Sequence, residues 1–219
     1  MNYILGLLNN IFDQFRASFA PASCVNCQLI IHEESLCESC FKLVKPVLGT
    51  VVAGECRTTI PVEAVGQFEG PLANLVYQKY KNNKHAFIGA ANLIYESQLK
   101  YINADLIVPI PLNAKKARLR GFDQVEIMAK SLAELANINF NRALIRTRDT
   151  APQSNLNKSE RLTNVANAFE LARPEIIKDK DVILIDDVYT TGSTAFEACK
   201  TMMTGKPKSL KVLVLARSV

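Results

Sequence analysis

Residues 181–195, DVILIDDVYTTGSTA, read in order as a strand, an acidic pair, an anion cradle and the start of a helix. Val182 to Ile185 is a short apolar run, mostly β-branched, the pattern of a parallel strand covered on both faces. Asp186 and Asp187 end that run, and Thr190, Thr191, Gly192, Ser193 and Thr194 precede a helical pattern that begins near Ala195. Such a turn suits a phosphate, because successive backbone N–H groups point into one concavity at the positive end of a helix. The hydroxyls add donors, and Gly192 lets the backbone come close. The two carboxylates only accept hydrogen bonds, so beside a phosphate they fit vicinal hydroxyls or a Mg²⁺ carried by the ligand. The ligand implied is a sugar phosphate with a free diol. A strand turning into a capped helix is also ordinary in any parallel α/β protein, and TTGST alone leaves that reading open.

The full run is more specific than its parts. IDDVYTTGST resembles the loop of type I phosphoribosyltransferases that binds PRPP (5-phosphoribosyl 1-diphosphate). Neither G-x-x-x-x-G-K-[ST] nor G-x-G-x-x-G occurs in the chain, which weakens the P-loop and dinucleotide alternatives.

Length and composition bound the rest. At 219 residues the chain has room for one large domain, or for a standard domain with a small appendage. With 48% hydrophobic and 21% charged residues and no long low-complexity run, it reads as a soluble globular protein. A net charge of +5 permits an anionic partner such as a nucleotide or nucleic acid, and equally an ordinary basic surface. No apolar run reaches the length of a membrane span, and MNYILGLLNN lacks the basic start of a signal peptide. A cytoplasmic location is expected, where thiols stay reduced and paired C-x-x-C motifs favour zinc over disulfides.

Four of the six cysteines form Cys24-x2-Cys27-x9-Cys37-x2-Cys40. Two tight knuckles of this kind complete a closed tetrahedral thiolate shell around Zn²⁺, and a closed shell is structural rather than catalytic. Cys56 has no nearby C-x-x-C partner, and Cys199 falls in a helical pattern as an ordinary buried thiol. Ahead of the cysteines, Ile4, Leu8, Ile11, Phe15 and Phe19 recur at helical spacing. That amphipathic helix either packs on the chain's own body or docks on a partner surface. The expected division is an N-terminal helix and zinc module over residues 1–58 and a main domain over 59–219. A Val51-Val52 strand is a candidate to finish the zinc module.

Within the main domain, Lys79, Lys81, Lys84 and His85 form a basic cluster, read either as a solvated face or, with Tyr77 and Tyr80 beside it, as a nucleic-acid surface. A second buried strand, LIVPI over 106–110, leads into Lys115, Lys116, Arg118 and Arg120. In a phosphoribosyltransferase that loop neutralises the diphosphate leaving group; from the charges alone a solvated basic turn remains open. Leu210 to Ala216 closes the pattern as a third apolar strand. Three such strands separated by helical patterns predict a doubly wound, mostly parallel α/β sheet with its ligand at the carboxyl ends of the strands.

Three further segments narrow the resemblance. Arg120 to Gln124, RGFDQ, is similar to the RGFNQ element of the ComF family of ComFC- and GntX-like proteins, with Asp123 where Asn is usual. Arg146 to Ser154 resembles that family's R-x-R-x-T-x-x-Q segment, and Arg161 to Phe169 its R-x-x-N-x-x-x-A-F. The resemblance implies a type I phosphoribosyltransferase-like domain behind a small N-terminal four-cysteine zinc module. It also implies Mg²⁺ with PRPP, and a role in natural transformation, with single-stranded DNA and DNA-uptake or recombination proteins as partners. On that basis Thr190 to Thr194 would hold the 5-phosphate, Asp186 and Asp187 the ribose hydroxyls, and the 115–120 loop the diphosphate. A non-catalytic nucleic-acid-binding module, or a phosphoribosyltransferase of nucleotide metabolism, is the alternative.

Overall fold

The computed structural model describes residues 22–32, 35–47, 51–52, 60–100, 103–148 and 167–218. The amphipathic 3–19 stretch, Cys56 and most of the Arg161–Phe169 segment lie outside the described residues.

In chain order the described elements are α1 (Glu38–Phe41), β1 (Val51–Val52), β2 (Pro61–Gln67), α2 (Gly70–Tyr77), α3 (His85–Ile94), β3 (Leu106–Pro109), α4 (Ala114–Arg120), α5 (Gln124–Ala136), β4 (Asn139–Phe140), β5 (Leu144–Arg146), β6 (Phe169–Leu171), β7 (Asp181–Tyr189), α6 (Ser193–Thr204) and β8 (Ser209–Arg217). The described sheet runs β1-β2-β8-β7-β3-β4. Every neighbouring pair in it is parallel except β1 with β2. A separate antiparallel ribbon pairs β5 with β6.

Alternation along the strands divides the core between the two faces, since successive side chains in a strand point opposite ways. Ile107, Ile183, Ile185, Leu213 and Leu215 pack under α2, α3 and α5. Val108, Val182, Leu184, Val212 and Val214 face the other way, against Ala198, Cys199 and Met202 of α6. Near-continuous apolar strands covered on both sides are what a parallel sheet with helical crossovers requires.

Two boundaries differ from the sequence reading. β7 does not stop before the acidic pair: Asp186 pairs with Val214, Val188 with Ala216 and Tyr189 with Arg217, so the ladder to β8 carries both carboxylates on rigid strand. β1 belongs to the main sheet through Val51↔Val62 rather than finishing a zinc module.

The cysteine-bearing segment is packed into the same core. Cys24, Leu36, Cys37 and Cys40 are buried in one cluster with Leu72, Leu75 and Val76 of α2. Asn74 Nδ2 donates to Asn26 Oδ1 at 2.8 Å, and the Gln67 N–H to the Lys45 carbonyl at 2.9 Å. Gly66 makes this approach possible, because a Cβ there would strike the Val44 side chain and lie 2.8 Å from Lys45 O. Among the described residues no helix is long and apolar enough to cross a membrane.

Candidate functional site

The site forms where β7, β3 and the turns after them meet, at the carboxyl ends of the parallel strands. A cavity of about 340 Å³ opens there, lined by Asp186, Asp187, Thr190 and Thr194 together with Lys79, Lys116, Arg120 and Arg146. A smaller hollow of about 20 Å³ lies against the turn itself, lined by Thr190, Thr191, Gly192, Ser193 and Thr194. Asp186, Val188, Thr190 and Thr194 line both spaces, so the turn hollow and the larger cavity adjoin at Asp186, while Asp187 faces the larger cavity.

The turn is tightened by its own residues. Gly192 has φ +79°, a left-handed conformation that glycine adopts without strain, and a Cβ at that position would run into the Tyr189 ring and hydroxyl. Thr191 Oγ1 and Ser193 Oγ lie 3.0 Å apart, and α6 starts at Ser193, so Ser193 and Thr194 sit in its first turn. The first N–H groups of a helix have no intrahelical partner, which makes this end an anion-binding geometry.

Asp187 is the most heavily engaged group in the site. Its Oδ2 accepts from Lys79 Nζ at 2.8 Å and from Gln124 Nε2 at 3.0 Å, and the residue is 8% exposed. Gln124 Oε1 in turn accepts from Arg120 at 3.0 Å. Arg120 and Lys79 lie 5.1 and 5.6 Å from the centre of the Tyr80 ring, within cation–π range. Burial works to push the Asp187 carboxyl up, but the Lys79 charge, its hydrogen bond and that of Gln124 outweigh it, leaving Asp187 below its ordinary value. Lys79 shows the reciprocal balance: burial favours losing the proton, and the Asp187 charge holds the ammonium above its usual value.

Asp186 behaves oppositely. Its Oδ1 accepts the Asp187 N–H at 2.8 Å, while burial and then the neighbouring Asp187 charge push its carboxyl well above the carboxylate range. Two adjacent carboxylates with environments this different divide one charge unequally between them. A folded-state pKa raised above the unfolded one contributes stability that is fully present below the unfolded value and is lost as pH rises through the folded one. Asp186→Asn, which keeps an acceptor for the Asp187 N–H and does not titrate, is therefore expected to gain melting temperature relative to wild type as pH goes from 4 to 8. A melting-temperature difference that stays flat across that range would remove the assignment.

The basic wall is only half the one expected from sequence. Residues 115–120 form the helix α4, with Asn113 as its N-cap and Gly121 left-handed at its end, rather than a loop. On a helix, positions four apart share a face, so Lys116 and Arg120 line the cavity while Lys115 and Arg118 are exposed and outside its lining. Lys116 is shifted down, first by burial and then by the charges of Arg120, Arg146 and Lys79. Lys79 and Arg146 complete the wall from elements far away in sequence. Lys79, read as part of a basic surface cluster, has a side chain only 13% exposed and turned into the site. Gln124 lies in the RGFDQ segment, but nothing in its residue type marks it as the partner of Asp187.

RGFDQ also shapes the cavity floor. Asp123 caps α5 by accepting from the N–H groups of Val125 and Glu126 at 2.9 and 3.2 Å, and it ties down the turn after β3 through Leu112 N–H at 3.1 Å. The three bonds use both carboxylate oxygens, Oδ1 at the helix cap and Oδ2 at Leu112, whereas an Asn in the same pose would turn a donor toward the Leu112 N–H, so Asp123 suits this turn as it stands.

At the other end, the sulfurs of Cys24, Cys27, Cys37 and Cys40 all lie within 4.8 Å of one another. Four thiols that close are the donor set of a tetrahedral metal site. Among the described residues this is the cluster able to hold a metal ion.

Comparison with known proteins places the chain in a family. The model of the phosphoribosyl transferase domain matches residues 76–218. Competence protein F of Haemophilus influenzae is 29% identical over 92% of this chain and 99% of its own length. DNA utilization protein YhgH of Salmonella typhimurium is 26% identical over 91% of this chain and 98% of its own. Competence protein ComFC of Streptococcus pneumoniae is 32% identical over 58% of this chain and 54% of its own. The chain belongs to the phosphoribosyl transferase domain family and is a homologue of the competence protein F, ComFC and YhgH proteins.

Proposed function

We propose that the protein binds PRPP and acts as a ComF-type phosphoribosyltransferase-like protein in natural transformation. The observation that carries the ligand is the adjacency of three elements: a phosphate-type turn whose hollow adjoins, at Asp186, a cavity lined by the acidic pair and by Lys79, Lys116, Arg120 and Arg146. A sugar with phosphate at one end, a diol in the middle and diphosphate at the other has one group for each element. Thr190 to Thr194 take the 5-phosphate, Asp186 and Asp187 the ribose hydroxyls, and the cationic wall the diphosphate. Lys115 and Arg118 belong to the approach to the site rather than to its lining.

No protein nucleophile is required. When transfer runs, the bond from ribose C1 to diphosphate oxygen breaks with its electron pair leaving on diphosphate. An acceptor lone pair then closes on C1 and the acceptor loses a proton. The protein's part is to orient the ligand and to neutralise the growing negative charge. Mg²⁺ belongs to this reading only as a companion of the ligand, because the acidic pair is engaged from within the protein. Zn²⁺ is the metal proposed for the four thiols, with a structural role, in a cytoplasmic setting that keeps them reduced.

The transformation role draws on the names of the relatives and on two side chains. Tyr77 and Tyr80 are 47% and 68% exposed at the cavity mouth, a platform on which a base of single-stranded DNA stacks. Lys208 and Lys211 are held by Asp181 and Glu63, so the 206–211 stretch offers little to a DNA track. Calorimetric titration with PRPP and with inorganic diphosphate tests the reading. PRPP is expected to bind at least about 10-fold more tightly, the worth of one charge-assisted bond to the diol. Equal affinities would refute the diol role, and an affinity that collapses steeply with salt would point to a polyanion track instead.

A further inference from the structure

We propose that Lys79 is the resident counter-cation of the acidic pair and sets the specificity of the site, making recognition of a sugar diphosphate independent of a divalent metal ion. The inference rests on the sugar-diphosphate reading above and concerns how that ligand's charge is met.

The resemblance to phosphoribosyltransferases implies Mg²⁺, and the donors present do not fit a resident one. Mg²⁺ requires oxygen ligands in near-octahedral array at about 2.0–2.1 Å. Oδ2 of Asp187 already takes the Lys79 ammonium at 2.8 Å and the Gln124 amide at 3.0 Å, so a cation approaching that oxygen meets another cation. Asp186 is held toward its protonated form, which leaves the pair with less charge than two carboxylates suggest. Around them stand Lys116, Arg120 and Arg146 on the same cavity. Among the described residues Lys79, Lys116 and Arg120 present positive charge to one space, which a diphosphate meets directly.

Lys79 is also built in rather than draped across. It sits in the short helical turn 78–80 that continues α2, its side chain is 13% exposed, and Tyr80 beside it is bracketed by Lys79 and Arg120. An ammonium has three donors, and Asp187 uses one; on the cavity wall the others remain for ligand oxygens. Lys79 touches both the group assigned to the diol and the space assigned to the diphosphate.

The test is titration of the full chain with PRPP in EDTA and in Mg²⁺. Wild-type affinity is expected to differ by less than about 3-fold between the two buffers, and Lys79→Met to bind at least about 10-fold more weakly in EDTA, the worth of one charge-assisted bond. Mg²⁺ is expected to recover most of the loss in Lys79→Met, and Lys79→Arg to bind independently of metal. A merely structural role for Lys79 predicts a loss of equal size in both buffers, and that result overturns the proposal. Wild-type binding that depends strongly on Mg²⁺ overturns it too while leaving the PRPP reading intact. Absence of binding in either buffer removes that reading and this inference together.

Discussion

Asp187→Asn is expected to give a folded protein that binds PRPP about 30-fold more weakly than wild type, a loss of about 2 kcal/mol. Asn keeps the shape but turns half of an acceptor pair into a donor, and it removes the charge that strengthens bonds from the ribose hydroxyls. The structure adds a cost to stability. Lys79 and Asp187 are both nearly buried, with side chains 13% and 12% exposed, and deleting one partner of such a pair costs about 3–5 kcal/mol because the other charge is stranded. Asn retains one oxygen for the ammonium, so about 2 kcal/mol is expected, or about 6 °C of melting temperature in a chain of this size. Exposed pairs such as Lys208 with Asp181 lie at the opposite limit, about 0–1 kcal/mol.

The pH dependence of that loss has a definite sign. Asp187 has a depressed folded-state pKa, so its contribution is present above the ordinary carboxylate value and disappears as pH falls through the folded one. The melting-temperature gap between wild type and Asp187→Asn should therefore be full at neutral pH and close in acid, opposite to the trend expected at Asp186. Calorimetry with PRPP and thermal melts at several pH values check both halves. Unchanged affinity would dismiss the diol assignment, and a gap that persists in acid would dismiss the Lys79 pairing.

How much of this was legible depended on sequence separation. The strand, acidic pair and turn were readable because they are consecutive, each residue type announcing its job beside the next. The four cysteines were readable for the same reason: their C-x-x-C spacing lies within 17 residues of sequence. Lys79 was not, since its partner is 108 residues away and a lysine in a basic run looks like surface until the packing of α2 turns it inward. Arg146 and Gln124 reach the cavity from two further elements.

The error at 115–120 was of another kind, and the sequence held the remedy. Four cations within six residues suggest a loop that meets a diphosphate, with a solvated basic turn as the alternative. Asn113 before AKKARLR and Gly121 after it are the start and stop signals of a helix, and helical period admits only Lys116 and Arg120 to one face. The apolar run ends at Ile185, but the strand does not end with it. A carboxylate at the carboxyl end of a parallel strand keeps its backbone in the ladder and turns its side chain to the ligand, as at Asp186 and Asp187.

Cys37→Ser is expected to release the zinc proposed for the four thiols, to lower the melting temperature by about 10 °C, and to weaken PRPP binding about 10-fold at a distance from the site. A serine oxygen does not replace a thiolate in a closed four-sulfur shell, and a structural metal lost is among the few changes that cost about 4 kcal/mol or more. The route to the ligand is α2. Cys37 and Cys40 share a core with Leu72, Leu75 and Val76, and Asn26 between the first two cysteines is bonded to Asn74. Burying side chains of this kind is worth about 2 kcal/mol each, so the knuckles help to set where α2 lies. One turn further on, α2 delivers Lys79 to Asp187. Metal content, thermal melts and calorimetry on the same preparation decide the matter. Zinc lost with melting and affinity unchanged would mean that the division we propose near residue 58 is also a division of stability. Zinc lost with the metal-independent part of PRPP binding lost alongside it would mean that the thiol cluster holds the counter-cation in place.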